Sequence, residues 1–95
     1  MYFVYIIETE DGTYYTGQTN DLARRLKEHA YSNSHGSFYL RMHKPKFVVH
    51  LEQFESRSEA MQRELEIKNN RKLKMELIGP RRDIREVIAT EESYK

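Results

Sequence analysis

Residues 2–19 read YFVYIIETEDGTYYTGQT, and the turn inside that stretch decides how the chain folds. Tyr2 to Glu8 and Thr13 to Gly17 are rich in Tyr, Val, Ile and Thr, side chains that suit a pleated, half-buried surface. Glu10-Asp11-Gly12 between them carries turn chemistry, so the stretch predicts a β-hairpin. Two registers are open. A two-residue Asp11-Gly12 loop pairs Glu10 with Thr13 and Tyr15 with Glu8, which sends Tyr5 and Tyr15 to opposite faces. A three-residue loop, with Gly12 in the left-handed region closing a type I turn, pairs Tyr15 with Ile7 and Tyr5 with Gly17. Both tyrosines then share a face, and Gly17 leaves open space beside Tyr5. We predict the three-residue form.

Outward from the hairpin, Thr19-Asn20-Asp21 offers helix-start residues, and Leu22, Leu26 and Ala30 follow at helical spacing. A first helix is predicted from about Asp21 to Tyr31, then a loop over Ser32-Asn33-Ser34-His35-Gly36. Residues 37–46 carry no clear pattern. Phe47, Val49 and Leu51 alternate on one face of a third strand, Phe47 to Phe54. Ser56 and Glu59 form a capping box that opens a long helix with Ala60, Met61, Leu65, Ile67, Leu73 and Leu77 as apolar positions. Gly79-Pro80 stops it, and Ile84, Val87 and Ile88 suggest a short last helix. The order is β-β-α-β-α-α, an α/β fold with a small three-stranded antiparallel sheet flanked by helices. Residues 1–90 read as one domain, with 91–95 as a fraying tail.

Bulk composition narrows the class. Ninety-five residues, 38% hydrophobic and 33% charged, describe an ordinary globular domain with one core. No apolar run approaches a membrane span, and Met1 to Ile7 lacks the features of a signal peptide. The absence of cysteine excludes disulfides and thiolate metal sites, and an intracellular, cytoplasmic setting is the expectation. A net charge of +1 does not by itself mark a nucleic-acid protein. The basic residues are nevertheless grouped: Lys68, Arg71, Lys72, Lys74, Arg81 and Arg82 in one stretch, Arg41, Lys44 and Lys46 in another. Solvated faces are the plain alternative to phosphate contacts for both groups.

Three polar residues stand where apolar ones are expected. Arg25 and His29 are one turn apart beside the Leu22–Leu26 stripe, where the helix meets the sheet. An Arg stem packed over the core with a satisfied histidine beside it is the plain reading. Glu64 lies between Ala60 and Ile67 on the apolar arc of the long helix and needs a partner. Lys68, one turn on, can supply it as a salt bridge; a divalent cation held by one carboxylate, water and phosphate is the alternative.

Phe3-Val4-Tyr5, followed by Tyr15-Thr16-Gly17, resembles the paired motifs of the GIY-YIG endonuclease superfamily. The Arg25-x-x-x-His29 spacing resembles the family's first helix, and Ala60-x-x-x-Glu64-x-x-Ile67-Lys68 its metal-binding helix. The ordered set spans roughly residues 1–78. The likeness is nearest to small stand-alone members and more distant to the N-terminal nuclease domain of UvrC. It implies a DNA-cleaving site with one divalent metal ion, Mg²⁺ or Mn²⁺, and no small-molecule cofactor. Tyr5 is then the candidate general base, relaying its proton to His29, and Tyr15 holds the water or phosphate. Arg25 binds the scissile phosphate, Glu64 ligates the metal, and Gly17 permits close approach of the backbone phosphate. Gly17, Arg41, Lys44, Lys46 and Lys68 are the candidate nucleic-acid contacts. Two positions depart from the pattern: Glu76 stands where many relatives carry Asn, with Asn69 and Asn70 arriving too early, and Gln18 follows Gly17 where some carry Lys.

The leading expectation is a metal-dependent endonuclease acting on DNA in repair, recombination or nucleic-acid processing, with an unknown protein partner as a conceivable source of targeting. The alternative is a nucleic-acid-binding module of the same fold with little or no cleavage. A protein-binding scaffold is a third class without specific support.

Overall fold

A computed structural model describes residues 1–31 and 38–93. The predicted loop at 32–36 lies outside the described residues. The hairpin forms from β1 (Tyr2–Thr9) and β2 (Tyr14–Thr19) in the three-residue register. Tyr5 pairs with Gly17 and Ile7 with Tyr15. Gly12, at φ +79°, donates its N–H to Thr9 at 3.1 Å, and Thr9 N–H bonds Thr13 at 2.9 Å. Thr9 Oγ1 donates to Asp11 at 2.6 Å, which stiffens the turn from within. Glycine adopts the left-handed conformation there without the Cβ penalty.

Helix α1 (Leu22–Tyr31) starts where Asp21 Oδ1 accepts from Arg24 N–H at 3.2 Å. A short helix α2 (Phe38–Met42) follows and leads into β3 (Pro45–Phe54). Strand β1 is central, hydrogen-bonded to β2 on one side and β3 on the other. Its residues Val4, Tyr5, Ile6 and Ile7 are all fully buried. A strand covered on both faces reads as a continuous apolar run rather than an alternation. Burying each such aliphatic side chain contributes roughly 1.5–3 kcal/mol before entropy is counted.

The third strand differs from the expected alternation. The register slips between Ile6 and Ile7, so Ile6 faces His50 while Ile7 faces Val48. Val49 is the extra residue of a bulge, and its carbonyl accepts Gly79 N–H at 2.7 Å instead of a ladder partner. The bulge flips the phase. Val48 joins one core with Leu51 packed against it, while Val49 joins the other with Phe47 packed against it.

The long helix is in fact two, α3 (Arg57–Lys68) and α4 (Arg71–Leu77). Asn69 ends the first, and Asn70 caps the second by accepting Leu73 N–H at 3.0 Å. Asn side chains compete for backbone groups in this way and break helices where they do so. Ser56 caps α3, as its spacing from Glu59 predicts, accepting Glu59 N–H at 3.2 Å.

The sequence pattern predicts three strands; the sheet has four, ordered β2-β1-β3-β4. The added strand, β4 (Arg82–Asp83), pairs with Val48 and Phe47, and both of its residues are exposed. With no apolar residue to bury, two residues leave no alternation to read. Helix α5 (Ile84–Glu92) buries Ile84, Val87 and Ile88. It runs on through Glu91 and Glu92 into the expected tail, and residues 94–95 lie outside the described residues.

Helices α1, α2 and α5 cover the face of the sheet bearing Tyr5 and Ile7; α3 and α4 cover the face bearing Val4 and Ile6. Among the described residues no helix is long and apolar enough to cross a membrane.

Candidate active site

The hairpin register delivers Tyr5 and Tyr15 to the α1 face with ring centroids 6.4 Å apart. Tyr5 is fully buried and leans over Gly17. A Cβ on Gly17 would lie 2.5 Å from Tyr5 Oη and 2.7 Å from Cζ. The space expected for an approaching phosphate is therefore filled by the Tyr5 phenol.

Helix α1 supplies the next two groups from one face. His29 Nε2 lies 2.8 Å from Tyr5 Oη, and its ring meets Tyr15 edge-on at 5.6 Å. The Arg25 guanidinium also acts on the Tyr5 phenol, favouring its ionised form, and is held by Glu28, 3.0 Å away. These contacts pull the titrations apart. Burial pushes the Tyr5 phenol up, Tyr15 adds to that, and the Arg25 guanidinium only partly opposes it. Burial pulls His29 down to about 4, helped by the Arg25 charge and opposed by Glu28. Burial also disfavours the charge on Arg25, but its bonds to Glu28 and Tyr5 outweigh that and raise its pKa. At rest the Tyr5–His29 pair is thus neutral on both sides, with the proton on the phenol. His29 Nδ1 is buried without a hydrogen-bond partner among the described residues.

Glu64 comes from the opposite side of the sheet. Its helix packs against β2 and β1, and Ala60 and Ile67 anchor it in the second core. Glu64 is the weakest of the charges acting on Tyr5, and it raises the phenol. Its carboxylate pairs with Lys68 at 3.0 Å and keeps 18% of its surface exposed. The salt-bridge reading of Glu64 is therefore realised, and the carboxylate stays partly exposed. Among the described residues no group of three or more His, Asp or Glu side chains could enclose a metal. A single partly exposed carboxylate suits a hydrated hard cation completed by water and phosphate, and does not suit zinc.

Among the remaining sequence candidates, Arg41 and Lys44 line one pocket together with His29, Arg85 and Glu10, while Lys46 sits 5.2 Å above the Phe47 ring. Glu76 is exposed on α4, and Asn70 has its side-chain oxygen engaged in capping.

Three neighbours are not among the sequence candidates for the site. Tyr39 stacks on Tyr15 at 6.2 Å, and His43 packs on Tyr39 at 4.5 Å while bonding Asp11 at 2.5 Å. Both belong to the α2 segment, which carries no periodic signal. Glu28 is the third, and it is within reach of a sequence reading, since it follows Arg25 by three residues on one helix.

Comparison with known proteins gives a consistent picture. The family model for the GIY-YIG catalytic domain matches residues 1–76. A UPF0213 protein of Halobacterium salinarum is 50% identical over 68 residues, covering 72% of this chain and 86% of the relative. A UPF0213 protein of Staphylococcus saprophyticus is 37% identical over 79 residues, covering 82% and 94%. A solution NMR structure of a UPF0213 protein from Bacillus halodurans is 35% identical, covers 81% of this chain and 82% of its own, and gives a TM-score of 0.49.

Proposed function

Because this chain belongs to the GIY-YIG catalytic-domain family, whose members are generally endonucleases, we propose that it is a metal-dependent endonuclease hydrolysing DNA phosphodiester bonds in repair, recombination or nucleic-acid processing. The observation that carries the reading is the Tyr5 Oη to His29 Nε2 contact of 2.8 Å, with the Arg25 charge acting on the same phenol. A core histidine merely needing a partner does not account for a guanidinium whose charge acts on the same phenol.

Arg25 binds the scissile phosphate through its exposed edge by charge-assisted hydrogen bonds. Tyr15, half-buried beside His29, holds the attacking water or a phosphate oxygen in line. Tyr5 Oη takes the water's proton as its own passes to His29 Nε2. The resting pKa values oppose that transfer, since they hold the proton on Tyr5. Burial is the main cause of the His29 depression; a phosphate on Arg25 offsets the second, the guanidinium charge, and so favours the transfer in part. Gly17 serves by letting the phenol lie over the backbone. Glu64 would hold a Mg²⁺ or Mn²⁺ ion, displacing or sharing with Lys68. When bound, that ion supplies positive charge for the phosphate and the leaving oxygen. Lys68 is then free to contact phosphate, and Arg41, Lys44 and Lys46 act as outlying contacts. A protein partner would supply targeting.

A second reading, a DNA-binding module with little cleavage, is favoured by Glu76 standing where many relatives carry Asn. The test is incubation of pure protein with plain, nicked, flapped and branched duplexes in Mg²⁺ or Mn²⁺, beside Arg25→Ala and Glu64→Ala. Cleavage by wild type that both variants lose supports the nuclease. Binding without cleavage on every substrate supports the module.

A further inference from the structure

The edge of the sheet carries a second pattern, resting on the nuclease reading and extending it to the path of the substrate. Strand β2 is an edge strand, and α3 packs along it. At one end, Gln18, Thr19 and Asn20 line a cleft of about 520 Å³ with Arg24, Arg25 and Arg57, three cations against the single carboxylate of Glu28. At the other end, Thr13 and Tyr14 line a pocket of about 580 Å³ with Lys68, Arg71 and Lys74. Helix α3 therefore runs antiparallel to β2, and Glu64 falls between the two cationic hollows. Arg57 and Arg71 stand seven residues to either side of Glu64 in sequence.

We propose that one strand of the DNA runs along the β2 edge, its scissile phosphate between Arg25 and Glu64, with Arg57 and Arg71 holding backbone phosphates on either side. Six residues of strand span about 20 Å and twelve of helix about 18 Å. That length matches about five to six nucleotides at ~3.4 Å rise each. Arg57 and Arg71 are both exposed, and neither makes an ion pair among the described residues. Arg63, by contrast, on the same helix as Arg57, is bound to Glu52 and Glu66. Lys74 is engaged with the Tyr14 carbonyl at 3.2 Å and braces the far hollow rather than reaching out. Two arginines without ion-pair partners among the described residues, one in each hollow on either side of Glu64, are poorly explained as a solvated face. The path excludes Arg82, which sits on β4 at the opposite edge of the sheet.

The experiment is fluorescence-anisotropy binding of a labelled nicked duplex in EDTA over a KCl series, for wild type, Arg57→Ala, Arg71→Ala, Arg57→Lys and Arg82→Ala. Removing one arginine–phosphate pair lowers the slope of log Kd against log salt by about 0.9. Arg57→Ala and Arg71→Ala are each expected to show that fall in slope and to bind roughly five- to tenfold more weakly at low salt. Arg57→Lys should keep the slope, and Arg82→Ala should match wild type, with thermal midpoints unchanged throughout. Wild-type binding that Arg57→Ala and Arg71→Ala leave intact, or that Arg82→Ala weakens equally, overturns the strand path alone. Wild-type protein that binds no DNA at low salt overturns the nuclease reading and the path with it.

Discussion

Replacing Gly17 with alanine puts a methyl group into space the Tyr5 phenol already fills. The added Cβ would meet Tyr5 Oη at 2.5 Å, Tyr5 Cζ at 2.7 Å and Tyr15 Cε2 at 3.0 Å, where ordinary contact begins at 3.4 Å. Tyr5 is fully buried, and its hydroxyl is tied to His29 at 2.8 Å. The ring cannot swing aside without breaking that bond. Overpacking of this kind costs about 1–3 kcal/mol. Leaving the buried His29 Nε2 unsatisfied costs about 1–3 kcal/mol more. Because the two overlap, the expected loss is about 2–4 kcal/mol, or roughly 10–30 °C in Tm for a domain of this size. Gly12→Ala is the control: nothing lies within 4 Å of its Cβ, and only the φ of +79° is strained, which costs about 1 kcal/mol. Urea unfolding followed by far-UV circular dichroism measures both. If Gly17→Ala unfolds at the wild-type midpoint, or costs no more than Gly12→Ala, the packing of Tyr5 over Gly17 is wrong.

Other outcomes follow from the same contacts. His29 is depressed from its ordinary 6.5 to about 4 by burial and Arg25, so the unfolded chain binds more protons between those values. Stability should be fully present above about pH 6.5 and decline as pH falls towards 4, and His29→Gln should flatten that part of a pH–Tm curve. Tyr5 is raised, so its contribution is present below about pH 10 and fades above it. An ultraviolet titration should find one tyrosine that stays un-ionised until the protein unfolds. Asn70→Ala removes the cap of α4 and should cost about 1 kcal/mol in thermal unfolding.

The legible parts of the molecule are those governed by local chemistry. Glu10-Asp11-Gly12 predicts the turn, and once Gly12 closes it the register of every hairpin residue follows. Arg25 and His29 are traceable because helical spacing alone places them against the sheet. The bulge at Val49 is not legible, since one extra residue in a strand reads as an unbroken alternation until its partner strand is in view. The break at Asn69-Asn70 is hidden for a related reason: apolar spacing continues through Leu73 and Leu77 into the same core, so periodicity does not register the interruption. Tyr39 and His43 depend on a five-residue helix too short to show a period. Glu64 is legible as an anomaly, but helical spacing carries no sign that it approaches Tyr5 from the other face of the sheet.

Tyr5, Tyr15, Arg25, His29 and Glu64, drawn from β1, β2, α1 and α3, are held to act on one phosphodiester. The direct measurement is single-turnover cleavage of a nicked or flapped duplex in Mg²⁺, comparing wild type with Tyr5→Phe and Glu64→Gln, each shown by circular dichroism to be folded. The account predicts cleavage by wild type and a loss of about a hundredfold or more in each variant, the scale for removing a general base or a metal ligand. Wild-type rates retained by folded Tyr5→Phe would contradict it.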